Sequence, residues 1–241
     1  MFLNWLIPLL LAIAAITLLI VSLTYKKNRF TTKDLALAAV CIGLSFALSY
    51  WKVWQNPQGG AITIASMLPI MLFAYIAGFR KGLIAGLAYG ILQFIQSPWF
   101  IHPIQVVLDY ILAFGSIGLA GAFKHITVLK KADFILGIIT VGIVRFFFSF
   151  IAGIVFYAEN AATYNMAVWP YSAAYNSVLL IDTAICLVVA VFMQYSPHFR
   201  QFMNYMDDGK NFTRRVKVTP EQNTGVDAAA KGDNVDNYEI K

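Results

Sequence analysis

Charge is what this sequence has least of. Asp, Glu, Lys and Arg supply 12% of its 241 residues, about half of the ~25% usual in a soluble globular domain. Cysteine is scarcer still: Cys41 and Cys186 stand apart in apolar segments, without a CxxC or a neighbouring His. That argues against a disulfide framework and a Cys/His metal centre, and leaves both thiols as buried packing. No GxxxxGK[ST] phosphate loop, HExxH helix or nucleophile elbow occurs, so ATP hydrolysis by a P-loop and the common hydrolytic chemistries are not encoded. Strands of alternating polarity are missing too, which argues against a β-barrel. What remains predicts no enzyme activity, no cofactor and no metal.

Long apolar runs fill the space. They cover about 3–24, 33–51, 61–78, 82–97, 104–123, 134–157 and 172–195, most of them near the roughly 20 residues a helix needs to cross a bilayer. The reading is an all-α polytopic membrane protein. Residues 1–30 form an extra N-terminal transmembrane helix and basic loop, 31–197 a six-helix membrane domain, and 198–241 a polar cytoplasmic tail. The tail mixes its charges and is short of large apolar residues, so disorder is expected there. The first run is followed, not preceded, by Lys26, Lys27 and Arg29. A cleaved signal peptide has the opposite order, so this helix is read as retained.

The net charge of +6 has a definite location. Seven basic and seven acidic residues cancel from Ser196 onward, so the excess belongs to the membrane body. There it alternates. Lys26, Lys27, Arg29 and Lys33 fill the first connection, Arg80-Lys81 the third, and Lys124, Lys130 and Lys131 the fifth. The intervening connections hold one cation, Lys52, and are rich in Trp, Pro, Asn and Tyr. The positive-inside rule makes the basic connections cytoplasmic. It predicts a multi-pass cell-membrane protein with its N-terminus outside and its C-terminus inside, with lipid rather than nucleic acid as its surroundings.

Small residues recur along the spans: Ala39/Gly43/Ala47, Gly82/Gly86/Gly90 and Gly115/Gly118/Gly121. Such ridges let helices approach closely in lipid. They pack the bundle internally, or one of them, Ala39/Gly43/Ala47 above all, meets a separate membrane subunit.

Three charged residues lie well inside the spans: Asp109, Arg145 and Asp182. A charge at mid-bilayer costs about 2.5–3.5 kcal/mol on insertion scales and marks a functional position by default. Gln105 precedes Asp109 by one turn and Tyr110 follows it. Arg145, Ser149, Gly153 and Tyr157 follow one another at four-residue steps and line one broad helix side. Asp109 and Arg145 form a structural ion pair, or Asp109 is kept for a cationic ligand while Arg145 supports it. Asp182 is open between a bundle contact and a role in a cavity. The stretch Trp51-Lys-Val-Trp54-Gln-Asn-Pro-Gln-Gly-Gly60 suits an ordered lid, and Ser97-Pro-Trp99-Phe100 and Tyr164 to Tyr171 add aromatics. Aromatic faces converging on a carboxylate suit a flat cation, by stacking and cation–π attraction.

Five segments in order, NPQGGAITIASMLPIML, GFRKGLIAGLAYG, HPIQVVLDYILAF, RFFFSFIAGIVFY and WPYSAAYNS, resemble the thiamine-specific S component of energy-coupling factor (ECF) transporters, the ThiT family. The resemblance spans roughly 33–195. It implies a six-helix S-component core that captures thiamine outside. A transmembrane coupling subunit and two cytoplasmic ATPases then reorient it to release the vitamin inside, which agrees with the missing phosphate loop. Its ligand-binding positions fall on Asp109, Tyr110, Arg145, Gly153, Tyr171 and Asn176. Ser149 stands where the family often has His, Tyr157 where it has an aromatic, sometimes Trp, and Trp99 joins the set as a neighbouring aromatic. The Ser admits a thiamine precursor or another aromatic heterocycle as ligand. A stand-alone ion-coupled carrier, with Asp109, Arg145 and Asp182 as a relay, is the competing reading.

Overall fold

The computed structural model describes residues 30–57, 60–124, 132–199, 201–203 and 205–206. The extra helix expected over 3–24, its basic loop, Lys130, Lys131 and most of the tail lie outside the described residues. Two compact units are distinguished, divided between Gln194 and Tyr195. In the second, residues 197–199, 201–203 and 205–206 are helical, where the composition had suggested irregular chain.

The first unit opens with α1, Thr32–Leu48. Its start is fixed by a capping box: Asp34 N donates to Thr31 Oγ1 while Thr31 N donates to Asp34 Oδ2, satisfying two backbone donors that the first turn would otherwise leave open. The same carboxylate holds Lys81 Nζ. An antiparallel hairpin follows, β1 Lys52–Gln55 and β2 Ala61–Thr63, with Lys52 opposite Thr63. Gly60 at φ 80° supports the reversal, a backbone conformation that costs glycine little.

Helix α2, Leu68–Ala77, has only ten residues, about 15 Å of rise. The span expected over 61–78 is therefore half hairpin and turn, half helix. The apolar letters Ala-Ile-Thr-Ile serve a strand as well as a helix, and Pro69 near the N-terminus of α2 starts the helix late. It needs no bilayer length because it lies inside the bundle: Ile70, Met71, Phe73 and Ala74 are all fully buried. Gly78, at φ 96°, passes directly into α3, Phe79–Gln96. Arg80 and Lys81, expected in a loop, thus occupy the first turn of α3.

Helix α4, Pro103–Gly121, is irregular: an α turn over Pro103–Val106, a π-helical stretch over Val107–Leu112, then Ala113–Gly115 and a tight 3₁₀ end, Ser116–Gly121. Helix α5 covers Asp133–Phe156, the short α6 Ala158–Thr163, and α7 Val168–Tyr195. Among the described residues, α4, α5 and α7 are long and apolar enough to span a membrane by length and composition.

The glycine ridge of α3 is where α4 sits. A Cβ at Gly86 would overlap the Phe114 carbonyl, and one at Gly90 the Tyr110 carbonyl. Internal packing thus explains Gly82/Gly86/Gly90. Gly43 is different: nothing approaches a Cβ there, and Ala39, Gly43 and Ala47 are exposed. Gly90→Val is expected to lower stability by about 1–3 kcal/mol through overpacking, read as a lower melting temperature in detergent. An unchanged melt would show that the α3–α4 contact is not close-packed.

Candidate functional site

At the hairpin end of the bundle α1, the hairpin, α3, α4, α5 and α7 enclose a cavity of about 150 Å³. Its wall is mostly polar, with six aromatic side chains set among the polar ones. The π-helical stretch of α4 brings Asp109 and Tyr110 to it. A π segment adds a residue to the turn and so re-aims neighbouring side chains, an arrangement frequent at functional sites.

Asp109 is held from one side. Its Oδ2 accepts from Gln105 Nε2 at 3.2 Å, while Oδ1 is buried without a hydrogen-bond partner. The Ser149 hydroxyl lies beside this carboxylate. Gln105 is itself locked: its Oε1 accepts from Ile101 N at 2.9 Å, and its Nε2 also donates to Tyr157 OH at 2.7 Å. Tyr157 OH accepts again from Trp99 Nε1 at 3.0 Å. Tyr110 OH donates to Ser97 O at 3.0 Å, and its ring meets Phe94 edge to face, centroids 5.0 Å apart. The aromatic groups are fixed in place by their polar ends.

Asp109 and Arg145 do not form the structural ion pair that was one of the two expectations. Among the described residues Arg145 pairs with Asp182, Nη1 to Oδ2 at 4.0 Å. Its guanidinium also lies over the Phe114 ring, 4.3 Å from the centroid, and Nη1 faces Met67 Sδ. Asp182 turns its Oδ1 to the hairpin, accepting from Thr63 N and Thr63 Oγ1, both at 2.8 Å. It therefore does both things left open for it: it ties the bundle together and lines the cavity.

Of the residues singled out in the sequence, Trp99, Asp109, Tyr110, Arg145, Ser149, Tyr157 and Asn176 line this cavity. Gly153 and Tyr171 do not. Gly153 is a contact point, since a Cβ there would overlap Ser172 Oγ on α7. Tyr171 stands behind Tyr175, stacked at 6.0 Å, and Tyr175 in turn stacks on Tyr157 at 6.3 Å. Asn176 commits its amide nitrogen to Ser172 O and Ser149 O, at 3.0 and 3.2 Å.

Where a lid is expected, the described residues of that stretch form the hairpin, and its polar side chains rather than its tryptophans meet the cavity. Lys52, Gln55 and Asn56 face the cavity, while Trp51 and Trp54 are exposed. Asn56 Nδ2 donates to Tyr175 O at 3.1 Å, so the hairpin is anchored to α7 at both Asn56 and Thr63. Sequence reasoning missed Tyr175, Gln93 and Tyr89 as lining residues. Gln93, a polar residue in an apolar span whose Nε2 is buried without a partner, carried the clearest unused signal. Among the described residues no three His, Cys, Asp or Glu side chains gather as a metal site.

A cavity with an unshared carboxylate oxygen, unshared Gln93 and Arg145 nitrogens and stacked tyrosines suits a flat cationic ligand that can also hydrogen-bond at its rim. A family model described as "Thiamine transporter protein (Thia_YuaJ)" matches residues 35–201. The Thiamine transporter ThiT of Bacillus subtilis is 33% identical over 144 residues, 55% of this chain and 74% of that protein. The Thiamine transporter ThiT of Lacticaseibacillus paracasei is 28% identical over 188 residues, 71% and 91% of the two chains. A solved structure of ThiT from Listeria monocytogenes superposes with a TM-score of 0.58 over 69% of this chain and 96% of that one, at 22% identity, which is a likeness of fold.

Proposed function

The chain belongs to the thiamine transporter family Thia_YuaJ, and from that premise we propose that it is the thiamine-binding membrane subunit of an ECF-type importer. The observation that carries this reading is Asp109: a half-buried carboxylate whose Oδ1 is buried and unshared, in a cavity walled by Tyr110, Tyr157, Tyr175 and Trp99. The thiazolium cation of thiamine supplies the missing countercharge, and its two rings supply faces for the tyrosines. Residues Arg145, Ser149 and Asn176 complete the wall. Gly153 and Tyr171 act from behind it, by letting α7 approach α5 and by backing Tyr175.

The chain captures ligand and does no covalent chemistry. Its sequence contains no P-loop, so energy for uptake comes from outside it: a transmembrane coupling subunit and two cytoplasmic ATPases. The positive-inside pattern supports an outward-facing hairpin and cavity, where a vitamin is met first. The exposed Ala39/Gly43/Ala47 stripe on α1 is suited to close helix packing against a membrane partner.

Titration of the purified chain with thiamine tests the reading, with intrinsic Trp fluorescence as signal. Trp99 lines the cavity, so saturable quenching at one site per chain is expected, and Trp99→Phe should remove most of it. Thiamine should bind more tightly than its neutral pyrimidine precursor. Tighter binding of the precursor would reassign the ligand, as Ser149 in place of the family's frequent His allows. Thiamine uptake by cells that contain this chain and no ATPase partner would assign a stand-alone ion-coupled carrier instead.

A further inference from the structure

We propose that Asp182 is a positioning residue that sets the charge specificity of the cavity: by holding Arg145, it keeps that guanidinium off Asp109. The inference rests on the thiamine-binding reading above. Three charges share the cavity, Arg145 and Asp182 buried and Asp109 half-buried, and their pairing decides what ligand it accepts. Paired as Arg145–Asp109, they would leave the ligand a neutral wall at the π-helical stretch. Paired as Arg145–Asp182, they leave a carboxylate there.

The geometry selects the second arrangement. Asp182 is held by two bonds from Thr63 to one oxygen, which leaves Oδ2 directed to Arg145 at 4.0 Å. Phe114 supports the guanidinium from its face at 4.3 Å. Asp109 Oδ1 and Arg145 Nε are both buried without partners in the same cavity, a costly condition for two groups of opposite sign. Asp182 is what keeps them apart. If its charge is removed, the lowest-cost response is for Arg145 to turn to Asp109, and the countercharge for a cation is cancelled. Specificity then comes from a residue that competes for the arginine and so leaves Asp109 free to serve as countercharge.

Asp182→Asn is the test, because the amide carbonyl still accepts from Thr63 and the hairpin stays seated. The purified variant is titrated with thiamine and with the neutral pyrimidine precursor. Its thiamine Kd should rise about tenfold or more, and its precursor Kd should move less than about threefold, a difference set by ligand charge. In an Arg145→Gln background the same Asp182→Asn change should alter the thiamine Kd by less than about threefold, since no guanidinium is left to release. Equal losses for both ligands, equal losses with and without Arg145, or an unchanged thiamine Kd would each overturn the proposal. Failure of the unaltered chain to bind thiamine would be a separate result, and would remove the functional reading together with this one.

Discussion

Asp109→Asn is expected to abolish most of the affinity for thiamine while leaving the chain folded. Asn keeps the size of the side chain and an oxygen to accept from Gln105 Nε2, but removes the charge facing the ligand. Losing one partner of a desolvated charge pair costs about 2–5 kcal/mol, which is roughly thirty-fold or more in Kd. The neutral pyrimidine precursor should lose much less, because its binding never used the charge. Fluorescence titration of both ligands reads the difference directly. An unchanged thiamine Kd would remove Asp109 from the site.

The second large effect concerns stability. Arg145→Met leaves Asp182 buried, 3% exposed, with Thr63 as hydrogen-bond donor and without the ion pair it forms among the described residues. Breaking a buried pair by deleting one member costs about 3–5 kcal/mol, because the other charge is stranded. The melting temperature in detergent should fall accordingly. Adding Asp182→Asn to Arg145→Met should recover a large part of the loss, since the stranded charge is gone and the Thr63 bonds still have an acceptor. Absence of recovery would mean that the arginine stabilises the bundle through Phe114 and Met67 alone.

How much of this was legible beforehand varied with the physics of each element. Helices α4, α5 and α7 are long apolar runs, and hydropathy alone locates them. The π-helical stretch in α4 has no sequence mark, since its letters are those of any buried helix. α2 was read too long because a strand of Ala61–Thr63 is as apolar as the helix that follows it, and hydropathy does not separate the two. At the site, Asp109, Arg145 and Ser149 stood out because polar groups in apolar spans are expensive. Gly153 was placed on the wall from its spacing with Arg145 and Ser149 and from a resemblance, Tyr171 from the resemblance alone. The structure puts them one layer back, where Gly153 sets the α5–α7 distance and Tyr171 supports Tyr175. The hairpin's share, Lys52, Gln55 and Asn56, depends on strand register and on what Thr63 and Asn56 reach across space. Neither is written in the local sequence.

The hairpin's two anchors have a consequence for the order in which the molecule is built. Asn56 to the Tyr175 carbonyl and Thr63 to Asp182 each join residues 119 positions apart. On a ribosome that synthesises from the N-terminus, α1 and the hairpin emerge long before α7 exists, and contacts of such separation form late. Until Asp182 is made and inserted, Thr63 has no carboxylate to bond and Arg145 lacks the carboxylate it pairs with in the finished fold. The roof over the cavity is therefore the last part of the body to be set, and a chain cut short before α7 has no finished binding chamber at all.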